Sequence, residues 1–350
     1  MGNITIAIDV MSGDKDPVAS IEAVLCAIKK YHDVNFTIFG NKNKIPKRLL
    51  KKITVNSDKI KLNHYESIVK PEDKPSIIVR RAKSTSMGGA IIAVKEGLAN
   101  AAVSSGNTGA LMAIGKIHLG MIKGIERPAI CALWPSASKP FVILDMGANV
   151  TMTPKQALQF AIMGNAFCSC YCGIKTPIFG LLNVGTETHK GTNAVKEAKE
   201  IIENTKNTGG KFIGFVESSR AIQGKCDVLV TDGFSSNIAL KMAESSVKLT
   251  LERLQNAFKT NIITKIAYLM VKNSIKKNLS IMSPNKNNGA MFVGLNGICV
   301  KSHGNANKEA FLSAINTAVL LVKNKINDGI KNKINATADI NNGKKQPAKS

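Results

Sequence analysis

The feature that most constrains the fold is a recurring pattern, in which a short apolar run is followed by a polar turn of small residues. It occurs over 4–14, 101–109, 141–149, 178–187 and 227–237, and helical patterns separate its copies. The runs are nearly continuous in Val, Ile, Leu and Ala, which is typical of strands buried on both faces. The chain is therefore predicted to adopt an α/β fold, with a mostly parallel sheet covered by helices on both sides.

Polar side chains stand at or just past the predicted end of each strand. They are Asp9, Asn107, Asp145, Asn149, Glu187, Asp232 and Asn237. Helix capping explains any one such residue. However, ligands of open α/β sheets bind at the edge that carries the carboxyl ends of the strands. Five polar, glycine-containing turns therefore favour a shared ligand cleft at one edge of the sheet.

The turn in the stretch SSGNTGALMA, at 104–113, has the composition of an anion site. Small residues let the backbone approach a ligand closely, and the N–H groups at a helix start attract anions. The donors would come from Ser105, Gly106, Asn107 and Thr108. The alternative is an ordinary strand-to-helix turn with capping side chains.

The segment 244–282 interrupts the alternation of strands and helices with two basic amphipathic helical patterns. Its apolar stripes either pack on the domain or a second subunit, or contact an anionic membrane surface. The sequence leaves both open. In the second case the membrane-contacting side chains are expected to be Leu254, Phe258, Ile266 and Leu269.

The formal net charge of +24 suits nucleic acid, an anionic membrane or an acidic protein partner. Nucleic acid is disfavoured, because aromatic residues make up only 5% of the chain and no basic stretch interleaves with stacking residues. Part of the excess charge lies in the Lys- and Asn-rich segment 324–350, which is predicted to be a fraying helix followed by disorder. Residues 1–323 are predicted to form a single catalytic domain.

Targeting and cysteine patterns indicate a cytoplasmic protein. The amino terminus lacks a basic region before its apolar run, and no apolar run is long enough to span a membrane. The seven cysteines include no C-x-x-C pair, so they are expected to be reduced core residues, with no metal site.

Seven motifs follow one another along the chain: DVMSGD, SSGNTGALMA, KGIERPAI, LDMGAN, LLNVGTE, TDGFSSN and GLNGICVKSHG. Over roughly 4–322 the chain resembles the bacterial phosphate acyltransferases of phospholipid synthesis. The resemblance implies a three-layer Rossmann-like fold related to phosphotransacetylases and isopropylmalate dehydrogenases. It also implies a homodimer without a cofactor, which contacts the membrane peripherally through 244–282. The chain departs from the family pattern at Ser12 and at Asn287 and Asn288.

The implied reaction converts acyl-acyl carrier protein and inorganic phosphate into acyl phosphate and free carrier protein. It requires an anion site, a donor to the developing oxyanion and a thiolate leaving group, whose thiol pKa is about 8.5. Lys190 and Asn237 are the leading catalytic pair, as phosphate-holding cation and oxyanion donor, and His303 is a third candidate. The predicted phosphate- and substrate-binding residues are Asp9, Gly13, Ser105, Gly106, Asn107, Thr108, Asp145, Asn149, Glu187 and Asp232.

Two other enzymes on a similar architecture are alternatives. A phosphotransacetylase-like enzyme that uses acyl-coenzyme A cannot be separated from the carrier-protein enzyme by one sequence. A nicotinamide-dependent dehydrogenase is disfavoured, because DVMSGD lacks the G-x-G-x-x-G fingerprint of a dinucleotide site.

Overall fold

The computed structural model describes residues 4–15, 17–70, 73, 75–279 and 288–343. Within these ranges eleven strands form one sheet: β1 (Ile4–Asp9), β2 (Val34–Gly40), β3 (Ile60–His64), β4 (Ala101–Ser104), β5 (Ala129–Trp134), β6 (Phe141–Leu144), β7 (Ile178–Leu182), β8 (Lys211–Val216), β9 (Val228–Val230), β10 (Ala290–Val293) and β11 (Ile298–Lys301). The α-helices are α1 (Val18–Lys30), α2 (Lys47–Val55), α3 (Pro75–Arg81), α4 (Ser86–Lys95), α5 (Thr108–Leu119), α6 (Pro154–Cys172), α7 (Asn193–Asn204), α8 (Ser218–Ile222), α9 (Gly233–Ala257), α10 (Ile262–Leu279), α11 (Lys308–Lys323) and α12 (Ile326–Gly343).

The sheet confirms the predicted α/β class. Its strand order is β3-β2-β1-β4-β11-β10-β5-β6-β9-β7-β8. The strands from β3 to β11 run parallel to one another, as do the strands from β6 to β8. Between these halves, β10 is antiparallel to both β11 and β5, and β5 is antiparallel to β6. The sheet therefore consists of two parallel halves of opposite direction.

Helices cover both faces of the sheet, as the apolar strand runs predict. Along β1, Ile6 and Ile8 point into one core cluster, while Ala7 points into a second cluster on the other face. The first cluster contains Phe311 from α11, and the second contains Ile91 from α4. This alternation follows from the two-residue period of a strand.

The helix α12 lies in the segment predicted to be a fraying helix, and its start packs into the domain more closely than the sequence indicates. Ile326, Ile330 and Ile334 recur at four-residue spacing and are buried, so they form one apolar stripe of the helix. The hydroxyl of Thr337 donates to the Asn207 carbonyl oxygen at 3.0 Å. The start of this segment therefore packs into the domain, and residues 344–350 lie outside the described part.

The segment 244–282 confirms two helices, although the first of them already begins at Gly233. The turn between α9 and α10 is closed by Asn261 Oδ1, which accepts from the Thr264 N–H at 2.9 Å. Ile263 and Met270 are 75% and 81% exposed, so an apolar stripe of α10 is not covered by the domain. Phe258 instead is half-buried and stacks at an angle on Tyr268, with ring centroids 5.2 Å apart. Residues 280–282 lie outside the described part.

In the described part of the chain, each helix is too short or too polar to cross a membrane.

Candidate active site

Asp145 follows β6 where this strand ends, and it is fully buried. Its Oδ1 accepts hydrogen bonds from the backbone N–H groups of Ile130 and Ala148 at 2.9 and 3.0 Å. Its Oδ2 accepts from the backbone and side-chain amides of Asn149 at 2.6 and 2.8 Å. Burial raises the pKa of Asp145, and these hydrogen bonds oppose the rise. Because the turn occupies both oxygens, Asp145 holds the turn together rather than facing a ligand.

Asn149 connects this turn to the first residue of α9. Its side-chain amide also donates to the Pro128 carbonyl oxygen at 2.8 Å, and its own carbonyl oxygen accepts from the Gly233 N–H at 2.8 Å. A Cβ on Gly233 would lie 2.5 Å from the Asn149 carbonyl oxygen and 2.8 Å from Gly147 Cα. Only glycine therefore allows the helix to start this close to the turn.

Asp232 and Ser236 fix the direction of α9. Asp232 is the N-cap residue: its Oδ1 accepts from the Ser235 N–H at 2.7 Å, and its Oδ2 from the Ser235 hydroxyl at 2.9 Å. The Ser236 hydroxyl donates to the Asp145 carbonyl oxygen. The helix start is thus held by its N-cap residue, in the loop after β9, and by a backbone atom of the turn after β6.

Asn237 lies at the start of α9, and its side chain faces the turn after β6. Gly147 has a φ of +116°, and a Cβ on it would lie 2.9 Å from the Asn237 side-chain nitrogen. The Asn237 amide therefore lies next to the Gly147 backbone, and Asn237 itself is exposed. A positioned N–H donor at an accessible surface is what a developing oxyanion requires.

Lys190 lies in the loop after β7, the strand that neighbours β9. Its ammonium contacts the Glu187 Oε1 at 2.7 Å, with both side chains partly exposed. The hydrogen bond between the two side chains raises the pKa of Lys190 and lowers the pKa of Glu187. Asn183 holds the loop, since its side-chain amide donates to the Lys190 carbonyl oxygen at 3.1 Å. An exposed ion pair is worth little to stability, so an incoming anion can replace Glu187 at low cost.

A second polar cluster lies at the ends of β1, β4 and β11. Asp9 is fully buried, and its Oδ2 accepts from the Ser104 hydroxyl at 2.7 Å. The Ser104 hydroxyl also accepts from the Gly106 N–H at 3.1 Å. Burial raises the pKa of Asp9, and its hydrogen bonds oppose the rise. Asp9 therefore shapes the turn that begins at Ser105, which is itself buried.

The rest of this turn begins α5. Asn107 is the N-cap residue, and its Oδ1 accepts from the Ala110 N–H at 3.0 Å, while Thr108 is the first helical residue. The turn after β1, which contains Gly13, is joined to the loop after β11 by the Asp14 N–H, which donates to the Gly304 carbonyl oxygen at 2.8 Å. Three loops thus converge at this edge.

Lys301 belongs to this cluster and was not among the predicted site residues. It pairs with Ser104 in the β11–β4 register. Its ammonium donates to the Ser105 carbonyl oxygen at 3.3 Å and to the Ser302 carbonyl oxygen. Burial lowers the pKa of Lys301 to about 8, against the charge of Asp14. The signal in the sequence was its place at the end of a strand beside His303.

His303 joins the cluster to α9. Its Nε2 lies 3.4 Å from Glu244 Oε1, and its backbone N–H donates to Asn288 Oδ1 at 3.0 Å. Asn288 is buried and also donates to the Ser302 hydroxyl and the Ala310 carbonyl oxygen, at 2.7 and 2.8 Å. This departure from the family pattern is therefore a loop support, whereas Asn287 lies outside the described residues.

The strands that precede these residues do not end at one edge of the sheet, as the sequence predicts, but a shared ligand cleft stays a prediction, since His303 contacts Glu244 of the helix that carries Asn237. The antiparallel pairings of β10 and β5 reverse the strand direction, so β6, β9 and β7 end at the edge opposite to β1, β4 and β11. Lys190 and Asn237 follow the neighbouring strands β7 and β9 at one edge, together with Asp145, Asn149, Glu187 and Asp232. The other edge carries Asp9, Gly13, the turn at 105–108 and His303. Within the described ranges, no three His, Cys, Asp or Glu side chains are placed to hold a metal ion.

Comparisons with solved structures identify the fold. A phosphotransacetylase from Streptococcus pyogenes superposes with a TM-score of 0.59 at 18% identity, covering 92% of this chain and 94% of the other. A branched-chain phosphotransacylase from Enterococcus faecalis V583 gives 0.58 at 15% identity, with coverage of 91% and 99%. The fold is therefore that of the phosphotransacetylases.

The sequence comparisons place the chain more narrowly. It belongs to the fatty acid synthesis protein family, whose model matches residues 4–328. It is 42% identical to the phosphate acyltransferase of Ehrlichia canis (strain Jake), over 93% of this chain and 98% of that protein. It is 43% identical to the phosphate acyltransferase of Parvibaculum lavamentivorans (strain DS-1), over 90% and 87%. These matches confirm the predicted enzyme class, an acyltransferase.

Proposed function

We propose that the enzyme transfers an acyl group from acyl-acyl carrier protein to inorganic phosphate, releasing acyl phosphate and free carrier protein for phosphatidic acid synthesis. The names of its relatives support phosphate as the acceptor. The observation that carries the mechanism is the Asn237 amide against the Gly147 backbone, at the same sheet edge as the Lys190 ammonium.

In the proposed mechanism, phosphate takes the place of Glu187 beside the Lys190 ammonium. A phosphate oxygen attacks the thioester carbonyl carbon, and the Asn237 amide donates to the oxygen that becomes an oxyanion. The carbon–sulfur bond then breaks and the carrier thiol leaves as a thiolate. Phosphate is largely dianionic near neutral pH, so the attack needs no strong base. A well-placed donor of this kind contributes about 3–4 kcal/mol.

The second cluster, at Asp9, Gly13, the turn at 105–108 and His303, is proposed to bind an anionic group of a substrate. Its support is the buried Lys301 ammonium beside the Ser105 carbonyl oxygen, in the turn that precedes α5. The strands before this site and the strand before Lys190 end at opposite edges of the sheet, while His303 contacts Glu244 of α9, the helix that carries Asn237. Ser105→Ala should leave the KM for phosphate unchanged if phosphate binds only at Lys190, and raise it if phosphate also binds at the turn.

Peripheral membrane contact of a cytoplasmic homodimer is part of the same proposal. Its support is the uncovered apolar stripe of α10, flanked by lysines. A second subunit could cover the same stripe, and flotation with lipid vesicles distinguishes the two.

The runner-up is a phosphotransacetylase-like enzyme that uses acyl-coenzyme A. Both are tested with palmitoyl thioesters of purified carrier protein and of coenzyme A, by following thiol release with and without inorganic phosphate. Phosphate-dependent release from the carrier supports the proposal. Release from coenzyme A alone supports the runner-up.

A further inference from the structure

A groove of about 1120 Å³ runs along the outer edge of the sheet half that holds Lys190. Its walls come from β8, which is the last strand of the sheet, and from α7, α8 and α12. Its lining is mixed, with polar backbone and side-chain groups beside Ile202, which is buried, Phe212, which is half-buried, and Ile213, which is 39% exposed. A groove of this size at the surface of an enzyme is a candidate binding surface.

The rim of the groove is basic. Four cations line it, and one acid: Lys175, Lys199, Arg220, Lys333 and Glu203. Glu203 is already neutralised by Lys199, whose ammonium lies 2.8 Å from its Oε1. The Lys333 ammonium donates to the Gly209 carbonyl oxygen at 3.1 Å. Lys175 and Arg220 are exposed and are the cations best placed to meet a partner.

The groove leads to the proposed catalytic loop. Thr186 lines the groove and directly precedes Glu187, which pairs with Lys190. A molecule seated in the groove would therefore present its reactive group to the Lys190 loop across a few residues. The chain has a net charge of +24, so basic surface also occurs elsewhere. What distinguishes this groove is that it adjoins the Lys190 loop.

We infer that this groove is the docking surface for the acidic carrier protein that delivers the acyl group, an inference that rests on the proposed function. The proposed donor is a thioester of an acidic protein, and the basic rim of the groove is complementary in charge to such a partner. The exposed side chain of Ile213 adds an apolar contact within the groove. Exposed rim charges steer association and act more on the encounter than on the chemical step.

The test is the double variant Lys175→Glu with Arg220→Glu, neither of which contacts the reacting atoms. The matched control is Lys51→Glu with Lys52→Glu, two exposed lysines of α2 at the opposite end of the sheet. We expect at least a tenfold rise in KM for palmitoyl-carrier protein in the groove variant, with kcat within a factor of two. KM for palmitoyl-coenzyme A should stay unchanged, and the control should behave as wild type. Binding of the unacylated carrier, measured by interferometry, should weaken by the same factor.

Four outcomes would overturn the inference. If the groove variant turns over palmitoyl-carrier protein with an unchanged KM, the groove is not the docking surface, and the proposed function still stands. An equal rise in the control variant assigns the effect to net charge. An equal rise for palmitoyl-coenzyme A means that the groove takes the nucleotide of that donor instead. Failure of the wild-type enzyme to use the carrier thioester at all refutes the proposed function, and the docking surface with it.

Discussion

Replacement of Gly233 by alanine should cost the enzyme most of its activity, because this position sets the distance between α9 and the turn after β6. The new Cβ would lie 2.5 Å from the Asn149 carbonyl oxygen, where ordinary contact begins at 3.4 Å. It would also lie 2.8 and 3.0 Å from the Gly147 Cα and N atoms. All three neighbours are backbone atoms, so the side chains cannot relieve the contact, and the helix start must move.

The distance that the start of α9 must move sets the size of the expected loss in kcat. Restoring ordinary contact requires a shift of about 0.9 Å, the difference between the 3.4 Å and 2.5 Å distances. A misplacement of about 1 Å at a reacting centre can cost about 100-fold in rate. We therefore expect kcat to fall by about 100-fold. Overpacking costs about 1–3 kcal/mol, and alanine recovers about 0.5–1 kcal/mol of helix preference, so the free energy of unfolding should fall by about 1–2 kcal/mol.

The assay is phosphate-dependent thiol release from a palmitoyl thioester, combined with urea unfolding. The control is Gly109→Ala, also a glycine in the first turn of a helix. A Cβ there lies 3.4 Å from Asn107 Oδ1, so this variant should keep its activity and its stability. Wild-type kcat in Gly233→Ala, or an equal loss in both variants, would refute the assignment of Asn237.

Three further predictions concern separate parts of the chain. Lys190→Ala should raise the KM for phosphate at least tenfold, whereas Glu187→Gln should lower it, since the ammonium loses its competitor; steady-state kinetics measure both, and equal rises in KM would contradict the role. Burial lowers the pKa of Lys301 from 10.5 to about 8, so the unfolded chain binds more protons between these values and this group adds stability as pH rises through that window. The free energy of unfolding of wild type relative to Lys301→Met should therefore rise by up to about 3 kcal/mol between pH 7.5 and pH 10.5, and a constant difference across urea melts would contradict the burial. Replacing four exposed apolar residues of α10 by Asn should abolish flotation of the protein with anionic vesicles; they are Ile262, Ile263, Leu269 and Met270. The same substitution at the exposed residues Val55 and Leu98 should leave flotation unchanged. Equal recovery of the α10 variant and wild type would assign the stripe to a subunit interface.

The sequence was sufficient to predict the local elements. The strands at 4–9, 101–104, 141–144, 178–182 and 228–230 fall within the predicted apolar runs, because strands buried on both faces have a distinctive composition. The start of α11 is equally local, since its N-cap residue Asn307 accepts at Oδ1 from the Ala310 N–H at 2.9 Å. Both features depend on residues that are close in sequence.

Strand direction and long-range burial were not predictable in the same way. The reversal of the sheet depends on β10 pairing with β5 across about 160 positions of chain, and no local pattern encodes such a pairing. The groups around Lys301 come from three places: β4, the turn after β1, and β11 itself. The burial of Lys301 therefore follows from the order of the strands in the sheet. The packing of α12 was missed because its four-residue apolar stripe is diluted by lysine and asparagine.

The most direct test of the proposed reaction and site is thiol release from palmitoyl-acyl carrier protein by the wild-type enzyme and by Asn237→Ala, each with and without inorganic phosphate. We expect release that requires phosphate and that is slower by about 100-fold or more in the variant. Release at the same rate without phosphate would identify a thioesterase and contradict the proposed reaction. Phosphate-dependent release that is unchanged in Asn237→Ala would contradict the proposed site.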